Sequence, residues 1–298
     1  MKSRFLFPSY FRIIGLIMAL PGFILGYFVV FGDYKIPGFV LKLRSQSYLD
    51  RAEYENFTNE LALALVVIGL GFIAFSKMKR EDELTARIRL NSLYWAILVN
   101  FIFYGFCLFV AVLDINESVM NTAFINSDRF MAYNLFLPLL IFITRFYYLI
   151  HKNRNEYQVS KLYFLPHKPY NTIGKVLSIV LTIPALYALF DLNDGDKLGV
   201  VCYFLPFVYL LWIYSKEKVE DEYINSMRLE AMQIAVYVNY AILLVSNVFC
   251  YGLLFLFIQV LNLFTIPLIF VIIFQYRLFR LSRQTGNKSG SNLNMGLL

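Results

Sequence analysis

The sequence has few charged residues and few of the residue types that carry most enzyme chemistry. Asp, Glu, Lys and Arg make up 16% of the 298 residues, and there are only two histidines and three cysteines. No Asp, Glu, Lys or His lies in the middle of a long apolar run. Proton-driven pumps usually need a carboxylate or imidazole relay inside the membrane, so this class is disfavoured.

Sites for a cofactor, a metal ion or a covalent intermediate are also missing from the sequence. His151 and His167 lie at the edges of apolar runs, which excludes paired axial ligands for an intramembrane haem. Cys107, Cys202 and Cys250 fall inside apolar runs and match no metal-binding spacing, so we interpret them as packing residues. No P-loop, HExxH or GxSxG motif occurs. We therefore predict no cofactor, no bound metal and no catalytic residues.

Long apolar segments dominate what is present. The hydrophobic fraction is 59% and the mean hydropathy is +0.60, whereas an ordinary globular chain is about 45–50% apolar. A membrane-spanning helix needs about 20 largely apolar residues. Eight segments approach this length, near 11–31, 60–76, 91–113, 131–150, 173–190, 198–214, 231–256 and 260–279. The sequence therefore predicts an all-α polytopic membrane protein with about eight transmembrane helices.

The distribution of Lys and Arg predicts the orientation of these helices. With eight spans and a cytoplasmic N-terminus, 21 of the 27 basic residues fall on the cytoplasmic side. The exceptions are Lys35, Lys42, Arg44, Arg51, Arg129 and Lys197. Basic residues concentrate in cytoplasmic loops, so we predict an inner (cytoplasmic) membrane protein with both termini in the cytoplasm. The net charge of +7 then follows from topology, and we expect no nucleic-acid partner.

One polar segment occurs twice, which indicates an internal duplication. Residues 76–100 read SKMKREDELTARIRLNSLYWAILVN, and residues 215–239 read SKEKVEDEYINSMRLEAMQIAVYVN. Without a gap, at an offset of about 139, the two share Ser, two Lys, Glu-Asp-Glu, Arg-Leu, Ala and Asn. Many of the shared residues are charged, so common hydrophobicity does not explain the match. A fixed-offset repeat of this kind is typical of a tandem duplication.

The duplication predicts two parallel four-helix repeats. The first repeat covers 1–155, with an outer-loop insertion at 33–60, and the second covers 156–283. Residues 284–298 read as a flexible cytoplasmic tail. The motif Leu6-Phe7-Pro8 resembles Phe164-Leu165-Pro166, so each repeat opens with a proline-containing entry to its first helix. Four helices preserve chain direction, which makes the repeats parallel rather than inverted.

The shared residues form one stripe on the third and seventh predicted helices. At 100° per residue, Asp82, Arg89, Ala96 and Asn100 lie within about 40° of one another, and Asp221, Arg228, Ala235 and Asn239 repeat the pattern. We expect the two helices to pack face to face about a pseudo-twofold axis. Arg89 would then reach Glu220, Asp221 and Glu222 of the other half. Arg228 would reach Glu81, Asp82 and Glu83, and Asn100 and Asn239 would bond across the contact. A charge reversal at Arg89 should then be rescued by one at Asp221.

A second interpretation of the stripe is functional. The six carboxylates and two arginines would line a cytoplasmic vestibule that holds a divalent cation or an anionic headgroup. The acidic triplet followed six residues later by Arg resembles a juxtamembrane motif of small bacterial membrane proteins of unassigned function. Some of those proteins look like partners of cytoplasmic transcriptional regulators, so the resemblance implies a regulatory role.

Three functions remain open from the sequence. The leading prediction is a non-enzymatic sensor or regulatory scaffold, in which the acidic–Arg motif forms a cytoplasmic-side interhelical junction. Its partners would be the lipid bilayer and a cytoplasmic regulatory protein or a second copy of the chain. The alternatives are a transporter or channel with its pathway between the halves, and a lipid-modifying membrane enzyme.

Overall fold

Eight α-helices make up nearly all of the protein that the structure describes. The computed structural model describes residues 6–39, 56–79, 82–112, 135–152, 163–190, 195–218, 220–250 and 253–294. Its helices are α1 (Phe11–Gly32), α2 (Thr58–Phe75), α3 (Glu83–Val112), α4 (Leu137–Lys152), α5 (Thr172–Phe190), α6 (Gly195–Ile213), α7 (Glu222–Phe249) and α8 (Leu253–Asn294). A π-helical turn, His167–Asn171, precedes α5.

Five of these helices are long and apolar enough to cross a membrane. The spanning segments are Phe11–Gly32, Thr58–Phe75, Glu83–Cys107, Glu222–Phe249 and Ile258–Gln284. The outward faces of α1 and α5 expose large apolar side chains, including Ile17 (65% exposed) and Ile183 (69% exposed). A continuous apolar face of this kind is unfavourable in water and is typical of a helix that contacts lipid. The all-helical fold class is confirmed.

The last helix differs from its sequence prediction. We expected a flexible tail from residue 284, but α8 continues to Asn294. Most of the predicted outer-loop insertion, at 40–55, lies outside the described residues, as does the second outer loop within 113–134.

Helices α1–α4 and helices α5–α8 make the same set of contacts. In the first group α1 packs on α2, and α4 packs on both α2 and α3; in the second α5 packs on α6, and α8 packs on both α6 and α7. Between the groups, α3 packs against α7, α2 against α7, and α3 against α6. The predicted face-to-face packing of the third and seventh helices is therefore confirmed, and Ala96 and Ala235 are fully buried.

Close helix approach in each group depends on a glycine near the start of its first helix. A Cβ atom at Gly15 would lie 2.5 Å from the Gly69 carbonyl oxygen of α2, and one at Gly174 would lie 2.6 Å from the Trp212 amide nitrogen of α6. Neither distance is sterically possible for a real side chain. Because only glycine fits at these positions, α1 can pack closely on α2, and α5 can pack closely on α6.

The proline-containing entries also match. Phe7 donates its amide to the Phe75 carbonyl (2.9 Å) and accepts from the Lys77 amide (2.8 Å). Leu165 does the same with Tyr214 (2.8 Å) and Lys216 (3.0 Å). These short parallel bridges attach the entry segment of each group to the residues that follow its second helix.

Candidate functional site

The most deeply buried charged side chain of the first half is Arg89 on α3, which is 1% exposed. Its Nη1 donates to the carbonyl oxygens of Ala74 (3.0 Å) and Ser76 (3.1 Å). The last carbonyls of a helix have no intrahelical donor, and the helix dipole makes that end negative. Arg89 therefore caps the C-terminal end of α2, while its guanidinium lies 4.5 Å from the centre of the Phe146 ring.

Arg228 on α7 repeats this arrangement at the end of α6. It is 1% exposed, and its Nη1 donates to the carbonyl oxygens of Ile213 (2.7 Å) and Ser215 (3.1 Å). Its Nη2 donates to the Glu220 carboxylate at 2.9 Å. The rings of Phe164 (4.6 Å) and Phe274 (4.9 Å) flank the guanidinium. In both halves the arginine reaches back 15 and 13 residues along the chain.

Among the described residues, the carboxylate that Arg228 binds is Glu220 of its own half, where we expected Glu81, Asp82 or Glu83 of the other half. Asp221, the expected partner of Arg89, instead caps its own helix. The rescue of a reversal at Arg89 by one at Asp221 stays a prediction. A helix C-terminus supplies carbonyl acceptors within reach of each arginine.

The two aspartates of the triplets begin their helices. An Asp82 side-chain oxygen accepts from the Thr85 amide, and an Asp221 oxygen accepts from the Ile224 amide, both at 2.7 Å. This is N-capping, which satisfies an amide that has no intrahelical partner. Hydrogen bonds from the Thr85 side chain and then its backbone lower the pKa of Asp82 below its ordinary value of 3.8. Glu81 lies outside the described residues.

The two asparagines of the stripe are both buried, Asn100 at 2% exposed and Asn239 at 1% exposed. Asn239 accepts a hydrogen bond from Asn262 of α8 at 3.0 Å, which is a contact within the second half. The bond between Asn100 and Asn239 stays a prediction.

Two tyrosines that the sequence did not single out join the halves. Tyr94 of α3 donates to the Ile213 carbonyl (2.8 Å), and Tyr214 donates back to the Tyr94 carbonyl (2.6 Å), with the two rings 4.4 Å apart. At the surface, Arg87 pairs with Glu83 (3.1 Å), as the i, i+4 spacing predicts, and also with Glu222 of α7 (2.9 Å). Nothing in the sequence distinguishes these two tyrosines from the others.

A polar cluster beside Arg228 was also missed. The Glu217 carboxylate, whose side chain is 13% exposed, accepts from Lys175 (3.2 Å), Gln275 (3.3 Å) and, more weakly, Asn171 (3.5 Å). The Glu217 amide donates to Glu220 at 3.0 Å. The cluster joins the start of α5, the segment after α6 and the middle of α8.

The described residues contain no group of three or more His, Cys, Asp or Glu side chains placed to hold a metal ion. In the part of the stripe that the structure describes, Asp82 and Asp221 cap helices, and Arg89 and Arg228 bind carbonyl oxygens at helix ends. Comparison with known proteins finds no matching family model, no matching curated protein and no matching solved structure.

Proposed function

We propose that this chain is a tandem-duplicated, eight-helix inner-membrane sensor or regulatory scaffold. Its halves are residues 1–155 and 156–283, related as parallel four-helix repeats, with both termini in the cytoplasm. The acidic–Arg motif of each half lies at the cytoplasmic membrane edge. The proposed partners are the bilayer and a cytoplasmic regulatory protein or a second copy of the chain.

The matching bonds of the two halves support the duplication. The carbonyl acceptors of Arg89 and Arg228, the N-caps at Asp82 and Asp221, and the bridges at Phe7 and Leu165 fall at equivalent points. Similarity between the two sequence segments does not by itself require that both arginines bind a carbonyl 15 residues earlier in the chain.

One observation carries the regulatory proposal: the arginine clamps close within each half, and the contacts between halves are of a different kind. Arg228 ties α7 to the end of α6 and to Glu220. Links between the halves include the Tyr94–Tyr214 pair, the hydrogen bond from Asn247 to the Glu60 carbonyl (2.8 Å) and the exposed Arg87–Glu222 ion pair. Two internally braced bodies that meet along α3 and α7 are suited to shift as units.

A shared acceptor couples this interface to the clamp. The Ile213 carbonyl receives both Arg228 of its own half and Tyr94 of the other half. Movement of α3 relative to the second half would take Tyr94 away from this carbonyl and so change the acceptor that Arg228 also uses. A ligand or partner that binds one arrangement of the halves more tightly would shift the population towards it.

Distance measurements between spin labels test the movement. In a cysteine-free protein reconstituted into lipid nanodiscs, labels at Glu83 and Tyr223 report across the halves. Labels at Glu83 and Tyr148, and at Tyr223 and Tyr276, report within each half. We expect a broad or two-peaked distribution across the halves and narrow distributions within them. Three equally narrow distributions would contradict the proposal.

A flux assay separates this function from transport. Liposomes that contain the protein should show no increase in permeability to ions or small polar solutes over protein-free liposomes. Solute-selective flux, abolished by a cross-link between α3 and α7, would replace the regulatory proposal with a pathway between the halves.

A further inference from the structure

Each half has a small group of polar side chains at the same place, which we call its pocket, and the two groups differ in composition. The pocket lies between the start of the first helix of the half, the segment that follows its second helix, and its fourth helix. In the second half these positions are Asn171, Glu217 and Gln275. In the first half they are Arg12, Met78 and Tyr147.

The equivalence rests on contacts as well as on sequence. Arg12 donates to the Lys77 carbonyl (3.2 Å) and to the Met78 sulfur (2.9 Å). Asn171 donates to Ser215 and Glu217 in the corresponding segment. Tyr147 and Gln275 each come directly after a phenylalanine whose ring packs on the buried arginine, Arg89 or Arg228, of the same half. Those phenylalanines are Phe146 over Arg89 and Phe274 over Arg228.

The pocket of the second half contains its own anion. The Glu217 carboxylate accepts from Lys175, Gln275 and Asn171, so donors and acceptor are matched. In the first half the corresponding residue is Met78, which carries no charge. The charge that faces this pocket is the guanidinium of Arg12, which no carboxylate among the described residues neutralises.

Two buried polar atoms of the first pocket lack partners among the described residues. These are Nε of Arg12 and the hydroxyl of Tyr147. The Arg12 guanidinium lies 5.6 Å from the centre of the Tyr147 ring. A buried donor without an acceptor is unfavourable, and an oxyanion is the group that would satisfy a guanidinium and a hydroxyl together.

We propose that the pocket formed by Arg12, Met78 and Tyr147 binds an exogenous phosphate-type oxyanion in the position that the Glu217 carboxylate occupies in the other half. The oxyanion is the headgroup phosphate of an anionic lipid or a free phosphate ion, which present the same acceptor oxygens. Arg12 supplies the charge and a hydrogen bond from Nε, and Tyr147 donates its hydroxyl. This site depends on the pocket geometry and not on the proposed movement of the halves.

Thermal unfolding of the full chain tests the site with two probes. The first is inorganic phosphate against chloride at equal ionic strength in neutral detergent. The second is phosphatidylglycerol nanodiscs against phosphatidylcholine nanodiscs. We expect one probe to raise the wild-type unfolding midpoint by roughly 2–4 °C. A response to phosphate identifies the free ion, and a response to phosphatidylglycerol alone identifies the lipid.

Four variants test whether the rise in the unfolding midpoint comes from this site. Arg12→Gln and Tyr147→Phe should reduce or abolish it, and Met78→Glu should abolish it by supplying an internal carboxylate, as Glu217 does. Arg283→Gln, an exposed basic residue near the end of α8, should respond as the wild type does. Because Tyr147→Phe removes only a hydroxyl, it keeps the test valid if Arg12→Gln does not fold. The proposal is overturned if the wild type responds to neither probe, or if Met78→Glu and Tyr147→Phe respond as fully as the wild type.

Discussion

The clamps of Arg89 and Arg228 share a backbone solution but differ in their surroundings. Both arginines donate Nη1 to two carbonyls at the end of the preceding helix. Arg228 is continuous with a polar network through Glu220 and Glu217, whereas beside Arg89 the position equivalent to Glu217 is Met78. The hydrogen bonds from arginine to backbone carbonyls are common to both halves, so we infer that they serve folding. The side chains around each arginine differ, and we expect any specialised function there.

The largest expected effect comes from breaking the clamp of the second half. Arg228→Leu should lower the free energy of unfolding by about 3–5 kcal/mol, because it leaves the Glu220 carboxylate without its partner. Arg228→Leu combined with Glu220→Gln should recover part of the loss, since no charge then remains unpaired. Chemical unfolding in detergent micelles measures both, with Arg283→Leu as an exposed control. Equal losses in the single and double variants would show that the ion pair does not add to the backbone clamp.

An intermediate effect is expected where the halves meet. The residue before the serine is Phe75 in the first half and Tyr214 in the second, so Tyr214→Phe makes the halves alike at this position. The variant loses the hydrogen bond to the Tyr94 carbonyl and should lower stability by about 0.5–1.5 kcal/mol.

Tyr94→Phe should have a smaller effect than Tyr214→Phe, because the Ile213 carbonyl keeps its bond from Arg228. Both variants should broaden the spin-label distance distribution across the halves and leave the distributions within each half unchanged. Broadening within a half would instead indicate general loosening of the fold.

The smallest expected effect is at the helix N-caps, where the halves should be most alike. Asp82→Ala and Asp221→Ala should each lower stability by about 1 kcal/mol. The pKa of Asp82 is lower in the folded protein than its ordinary value of 3.8. Its stabilising contribution is therefore complete above about pH 4 and lost as the pH falls through the folded-state pKa.

Unfolding measured from pH 6 to pH 3 tests the titration of Asp82. The wild type should lose more stability on acidification than Asp82→Asn, which cannot titrate at this position. Parallel pH profiles for the two proteins would contradict the assigned cap.

Local features of this fold could be predicted from the sequence. The apolar segments gave the helices, because a run of about 20 apolar residues is unfavourable anywhere except in lipid or a large core. The Glu83–Arg87 pair followed from i, i+4 spacing, and the matching entries at Phe7 and Leu165 followed from the proline motif. Each of these depends on residues that are neighbours in sequence or on one face of one helix.

Only the tertiary structure decided the partners of the charged groups. Arg89 and Arg228 bind backbone carbonyls. Every residue has the same carbonyl group, whatever its side chain, so no sequence pattern marks Ala74 or Ile213 as the partner. Side-chain complementarity favoured an exchange of carboxylates between the halves. Helix ends with unsatisfied acceptors and a negative dipole proved nearer to each arginine.

The same limit applies to the Glu217 pocket and its counterpart around Arg12. Asn171, Glu217 and Gln275 are separated by tens of residues and carry no shared motif, and folding alone brings them together. By itself the sequence determined the helices and the repeated polar device, because these depend on local spacing and hydrophobicity. The tertiary structure decided which groups that device binds, because those bonds depend on where separate helices end in space.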